Sequence, residues 1–178
     1  MKITADKALR RLKEGNQLYR MSWKNTGDVS LEKVRDTAKN GQHPYAVVIA
    51  CSDSRVTPEH IFNAGIGELF TIRVAGNVID PHQLGSIEYA VSHLGTPLVV
   101  VLGHTHCGAV DAAMCGSFHG YITSITDKIQ VAIQGERDAY KASCLNVEST
   151  VEEIKKSLSL EAVKGAIYDI KTGEVIWL

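Results

Sequence analysis

No stretch of this sequence is apolar for long enough to cross a bilayer. The longest uninterrupted candidate, Pro97 to Gly103, has the length of a strand, against the roughly 20 residues that a membrane helix needs. The first residues, Met1-Lys2-Ile3-Thr4-Ala5-Asp6, hold no apolar core of signal-peptide length, so the expected location is cytoplasmic. An excess of one charge is also missing: 19 Lys and Arg stand against 20 Asp and Glu, for a net charge of -1. That balance gives neither the basic surplus of a sequence-independent nucleic-acid binder nor a polybasic membrane patch. The four cysteines, Cys51, Cys107, Cys115 and Cys144, are too few for a disulfide scaffold and include no Cys-x-x-Cys pair. In a reducing compartment such residues read as metal ligands or buried thiols. Internal repeats, low-complexity tracts and Pro/Ser linkers are absent as well.

The chain does have enough apolar residues, 44 % of 178, to build one core of ordinary size. Residues 5–20 place Ala8, Leu9, Leu12, Leu18 and Tyr19 among charged side chains, the pattern of an amphipathic helix. Its apolar stripe is thin, which predicts that it packs on another subunit. Ser30 is positioned to cap a helix over Leu31–Lys39 that ends at Asn40-Gly41. Then the pattern changes. Tyr45–Ala50, Leu69–Val74, Pro97–Leu102 and Val163–Ile170 are apolar runs rich in β-branched residues, which predicts strands. Helical stretches separate them at Pro58–Asn63, at Gln83–His93 and in two or three segments between Gly108 and Leu158. Asp169 to Gly173 reads as a hairpin turn leading to an edge strand. The alternation predicts a single α/β domain: a mostly parallel central sheet flanked by helices, with a helical arm over residues 1–40, a core over 41–178 and a C-terminal edge strand.

Two predicted strands end in polar clusters, Cys51-Ser-Asp53-Ser-Arg55 and Gly103-His104-Thr-His-Cys107-Gly108. Parallel strands open their carboxyl ends onto a common crevice, so fold logic brings Cys51 towards His104 and Cys107. Two thiolates and one imidazole suit zinc, and three protein ligands leave a fourth position for water, the arrangement of a catalytic site. Taken singly, a cysteine that ends a strand is more often a small buried hydrophobe. Asp53 and Arg55 read either as a surface ion pair of little consequence or as a carboxylate that is kept ionised to accept a proton from a metal-activated water. Phe70 and Tyr89 read by residue type as packing residues, and Gln42 as a solvated loop residue. Cys115 and Cys144 read as free thiols, Trp23 and Trp177 as packing residues.

Cys-x-Asp-Ser-Arg followed far downstream by His-x-x-Cys-Gly resembles the signature of the β-carbonic anhydrases. The likeness extends to Ala8–Gln17, to Gly67–Phe70 and Arg73–Asn77, to Ser86–Ala90 and to Gly165–Gly173, and so covers most of the chain. The stretch around Lys156–Glu161 is shorter than the family's pattern. The resemblance implies one Zn2+ per chain on Cys51, His104 and Cys107, with Asp53 and Arg55 as the catalytic carboxylate-arginine dyad. It places Gln42, Phe70 and Tyr89 in the substrate pocket, and it implies reversible hydration of CO2 to bicarbonate and a proton. Of the family's two variants, the one with water at the fourth zinc position is implied, because Val48 stands where the other has a Trp. The resemblance also implies a homodimer or higher homo-oligomer with pockets at the interface, acting on a small molecule and on neither nucleic acid nor membrane. Two other expectations share the scaffold: hydrolysis of CS2 or carbonyl sulfide, and a non-catalytic zinc fold in which Asp53 closes a four-ligand shell.

Overall fold

A computed structural model describes residues 3–116 and 118–178. The first two positions of the expected arm, and Ser117, lie outside them. The core is a five-stranded sheet in the order β2-β1-β3-β4-β5, formed by β1 (Ala46–Ala50), β2 (Leu69–Arg73), β3 (Val99–His104), β4 (Val163–Tyr168) and β5 (Val175–Trp177). All neighbouring pairs are parallel except β4 and β5, which close the antiparallel edge hairpin that the turn at Asp169–Gly173 predicts.

β1 and β3 are buried on both faces, which is why their sequences show apolar runs instead of alternation. The period of two still sorts their side chains. Ala46, Val48 and Ala50 join one cluster with Ala8 and Leu12 of α1 (Ala5–Ser22) and Ile61 of α3 (Pro58–Ile61). Val47 and Ile49 join the other, with Ile87 and Ala90 of α4 (Pro81–Ser92) and Val147, Val151 and Ile154 of α7 (Ala139–Leu158). Helices α5 (Gly108–Cys115) and α6 (Thr123–Ile133) close the carboxyl end of the sheet around Cys51 and Cys107.

One expectation is corrected. β3 runs two residues later than the apolar run suggests. Pro97 has no N–H to give a ladder, while Gly103 and His104 extend the pairing with Ile167 and Tyr168 of β4. Part of the α1 stripe packs within the chain, where Ala8 and Leu12 are fully covered, while Leu18 is 52 % exposed. α1 crosses so close to α3 that a Cβ at Gly15 would sit 2.0 Å from the Phe62 carbonyl oxygen. Asn16, also buried, donates to the Ile61 and Gly173 carbonyls at 3.1 and 2.9 Å and accepts from the Val175 N–H at 3.1 Å. By contrast α2 (Leu31–Asn40), capped by Ser30 as expected, buries no residue.

From β1 the chain moves to β2 on one side, then crosses back over β1 to β3 on the other. The carboxyl ends of β1 and β3 therefore flank the point where strand order reverses, where open α/β sheets leave a crevice.

Candidate metal centre

Cys51 follows the last residue of β1, His104 is the last residue of β3, and Cys107 caps the start of α5. All three are buried, and one ligand atom from each lies within 4.8 Å of the others. The three-residue span from His104 to Cys107 works because His106 takes a left-handed conformation, φ 54°, which turns the chain from the strand into the helix.

The imidazole is set for coordination. Its Nδ1 lies 2.9 Å from the Thr105 carbonyl oxygen. A carbonyl only accepts, so Nδ1 carries the hydrogen and the lone pair is on Nε2. That Nε2 is buried and has no hydrogen-bond partner, an arrangement that costs free energy unless something binds it. The Cys51 sulfur receives backbone N–H groups from Asp53 at 3.4 Å and from Gly76 at 3.3 Å. A hydrogen bond from the Cys107 thiol, with these amides, holds the Cys51 thiol far below its ordinary pKa, and the same pairing together with burial pushes Cys107 up. Two sulfurs and one nitrogen with an unshared pair fit zinc and disfavour the hard, oxygen-seeking cations.

Asp53 and Arg55 flank this cluster. Arg55 binds the carboxylate at two points, Nε to Oδ1 at 3.0 Å and Nη2 to Oδ2 at 2.7 Å, and its backbone N–H adds a third bond to Oδ1 at 2.9 Å. Those hydrogen bonds keep the Asp53 carboxyl well below the usual carboxylate range. Oδ2 lies 4.0 Å from His104 Nε2, at the edge of the space between the three ligand atoms. Arg73, at the end of β2, donates to the Cys51 carbonyl at 3.0 Å and to the Asp53 carbonyl at 2.7 Å, so the loop between them is pinned from a neighbouring strand. Motif reading gives Arg73 no role. Its signal is the position: a cation closing a strand next to the one that ends in Cys51.

The structure brings Cys51, Asp53, Arg55, His104 and Cys107 together and leaves Gln42, Phe70 and Tyr89 apart from them in one chain. Phe70 pairs with Val47, four residues before Cys51, which is about 13 Å along a strand. Tyr89 packs on Phe70 with ring centroids 6.2 Å apart and is exposed. Gln42 is exposed before β1, at the end of the strand away from Cys51.

Comparison with known proteins agrees with this geometry. A family model described as carbonic anhydrase matches residues 46–175. Carbonic anhydrase 2 of Mycobacterium tuberculosis (strain H37Rv) is 42 % identical over 137 residues, covering 74 % of this chain and 66 % of its own length, just under two thirds. The carbonic anhydrase of Mycolicibacterium smegmatis is 34 % identical over 187 residues, covering 94 % of this chain and 90 % of its own. Among solved structures, the β-carbonic anhydrase CafA of Aspergillus fumigatus superposes with a TM-score of 0.71 at 30 % identity, covering 96 % of this chain and 88 % of that one.

Proposed function

Because this chain belongs to the β-carbonic anhydrase family, we propose that it catalyses the zinc-dependent, reversible hydration of CO2 to bicarbonate and a proton. The observation that carries the proposal is the buried group of Cys51, His104 and Cys107, with ligand atoms within 4.8 Å of one another and an imidazole nitrogen that has no other partner. These three residues would hold the ion. When bound, zinc supplies Lewis acidity, which lowers the pKa of water far enough to make it a nucleophile near neutral pH.

The remaining steps fall to the protein. Asp53, ionised through its pairing with Arg55, only accepts hydrogen bonds. Its Oδ2 takes the proton side of the attacking water and turns the oxygen lone pair towards carbon. Arg55 fixes the carboxylate in one plane through its two-point contact, and Arg73 fixes the loop that carries it. The same engagement of Asp53 supports the open variant of the centre over one that Asp53 closes, and over a non-catalytic zinc fold. Val48 in the middle of β1 supports it too.

Gln42, Phe70 and Tyr89 complete the pocket in a homodimer or higher oligomer, where the exposed edge of one copy serves the metal centre of another. The exposure of Tyr89 beside the partly buried Phe70 supports this, as does the distance of Phe70 along the sheet from Cys51. A small apolar wall with a donor nearby suits CO2, which is small and uncharged. We place the protein in the cytoplasm. Among the described residues no helix is long and apolar enough to cross a membrane.

The test is metal analysis and a CO2 hydration assay on one preparation. Activity should follow zinc content, fall on treatment with a chelator and return with zinc. Full zinc without hydration activity would overturn the proposal.

A further inference from the structure

The Cys51 sulfur is tied to a residue outside both ligand motifs. Gly76 donates its N–H to that sulfur at 3.3 Å. Its carbonyl accepts from Asn146 Nδ2 at 2.8 Å. Gly76 sits in a turn closed by the Asn77 N–H on the Val74 carbonyl at 2.9 Å. Its φ of 67° and ψ of 16° are the conformation that favours glycine. A Cβ there would come 2.7 Å from Ile129 Cδ1 and 3.1 Å from the Ala109 Cβ, so the turn is gripped from α5 and α6. Asn146 lies on α7, only 2 % exposed, on the apolar face that carries Ala142 and Thr150. A buried polar side chain on such a face is costly unless its bonds are made.

We infer that Asn146 is a positioning residue of the metal centre. It holds the Gly76 peptide so that the N–H stays aimed at the Cys51 sulfur. The inference rests on the reading of Cys51 as a zinc ligand. A carbonyl buried without a donor tends to turn towards one, and turning the Gly76 peptide takes its N–H off the sulfur. An N–H on a thiolate stabilises the anion and withdraws charge that the sulfur would otherwise donate to a metal. Removing the Asn146 amide therefore frees the turn that holds this donor on Cys51, and a ligand that loses its outer partner binds metal more weakly. The same loss also raises the energy of the sulfur lone pair.

The test uses the full chain with Asn146→Ala and with Asn146→Leu, which keeps side-chain volume but has no donor. Val151→Ala, on the same helix and away from the turn, serves as a control for general loosening. Both Asn146 variants should bind zinc about 10-fold more weakly by chelator competition. In cobalt-substituted protein their sulfur-to-cobalt charge-transfer band should move to longer wavelength, while Val151→Ala leaves it in place. If Asn146→Ala fails to fold, Asn146→Leu decides by the same two readings. Wild-type affinity and an unshifted band in a folded Asn146 variant would overturn the inference and leave the metal centre standing. Absence of any sulfur-to-cobalt band in the wild-type protein would instead remove the metal centre, and this inference with it.

Discussion

At the scale of single residues, the proposed centre assigns binding to one set of atoms and orientation to another. The side chains of Cys51, His104 and Cys107 are buried and face one another, which suits them to hold an ion and little else. Asp53 is different, because Arg55 already satisfies it. Removing the carboxylate should therefore leave metal binding intact and remove only the control of proton and lone pair. Asp53→Ala is expected to keep one zinc per chain and to lower turnover about 100-fold, measured by metal analysis beside stopped-flow hydration. Loss of zinc in that variant would make Asp53 a ligand, and unchanged turnover would end its orienting role. The five residues of the centre are legible in the sequence because each group sits within a few positions of a strand end. Asn146 is not, because its partner is 70 positions away. The one local clue is an amide on an apolar helix face.

At the scale of elements, strands are easier to place from sequence than what covers them. Continuous apolar runs give one end of each of β1, β2 and β4 and miss the other by one or two residues, whereas both ends of β3 are off by two, and the turn before Gly173 announces β5. The start of β3 is misplaced by the same reasoning, because apolarity does not register the missing N–H of Pro97. The packing of α1 escapes it for another reason: its stripe is completed by Gly15 and Asn16, neither of them a large apolar residue. Asn16 bonds to Ile61 and to Val175, 45 and 159 positions away, and so joins the helix to both α3 and the edge hairpin. Asn16→Ala orphans two carbonyls and an N–H in the interior. It should lower stability by about 3 kcal/mol, read as a lower urea midpoint with zinc content unchanged. A midpoint equal to that of the wild-type chain would mean that α1 docks through Ala8 and Leu12 alone.

At the scale of the whole molecule, function follows from strand order. Because β2 and β3 lie on opposite sides of β1, the ends of β1 and β3 face one crevice, and two short motifs far apart in sequence supply one set of ligands. The same order makes β2 an edge strand, with Phe70 partly buried on it and Tyr89 of α4 packed beside it. Their role as pocket residues comes only from family resemblance, since nothing in residue type or spacing separates an edge aromatic that packs from one that serves a second copy. The central claim is that two sulfurs and one imidazole share a zinc ion, and X-ray absorption at the zinc edge on protein loaded with one equivalent reads that donor set directly. It should show two sulfur neighbours at about 2.3 Å and nitrogen or oxygen neighbours at about 2.0–2.1 Å. A shell of nitrogen and oxygen alone, or one with three or more sulfurs, would contradict it.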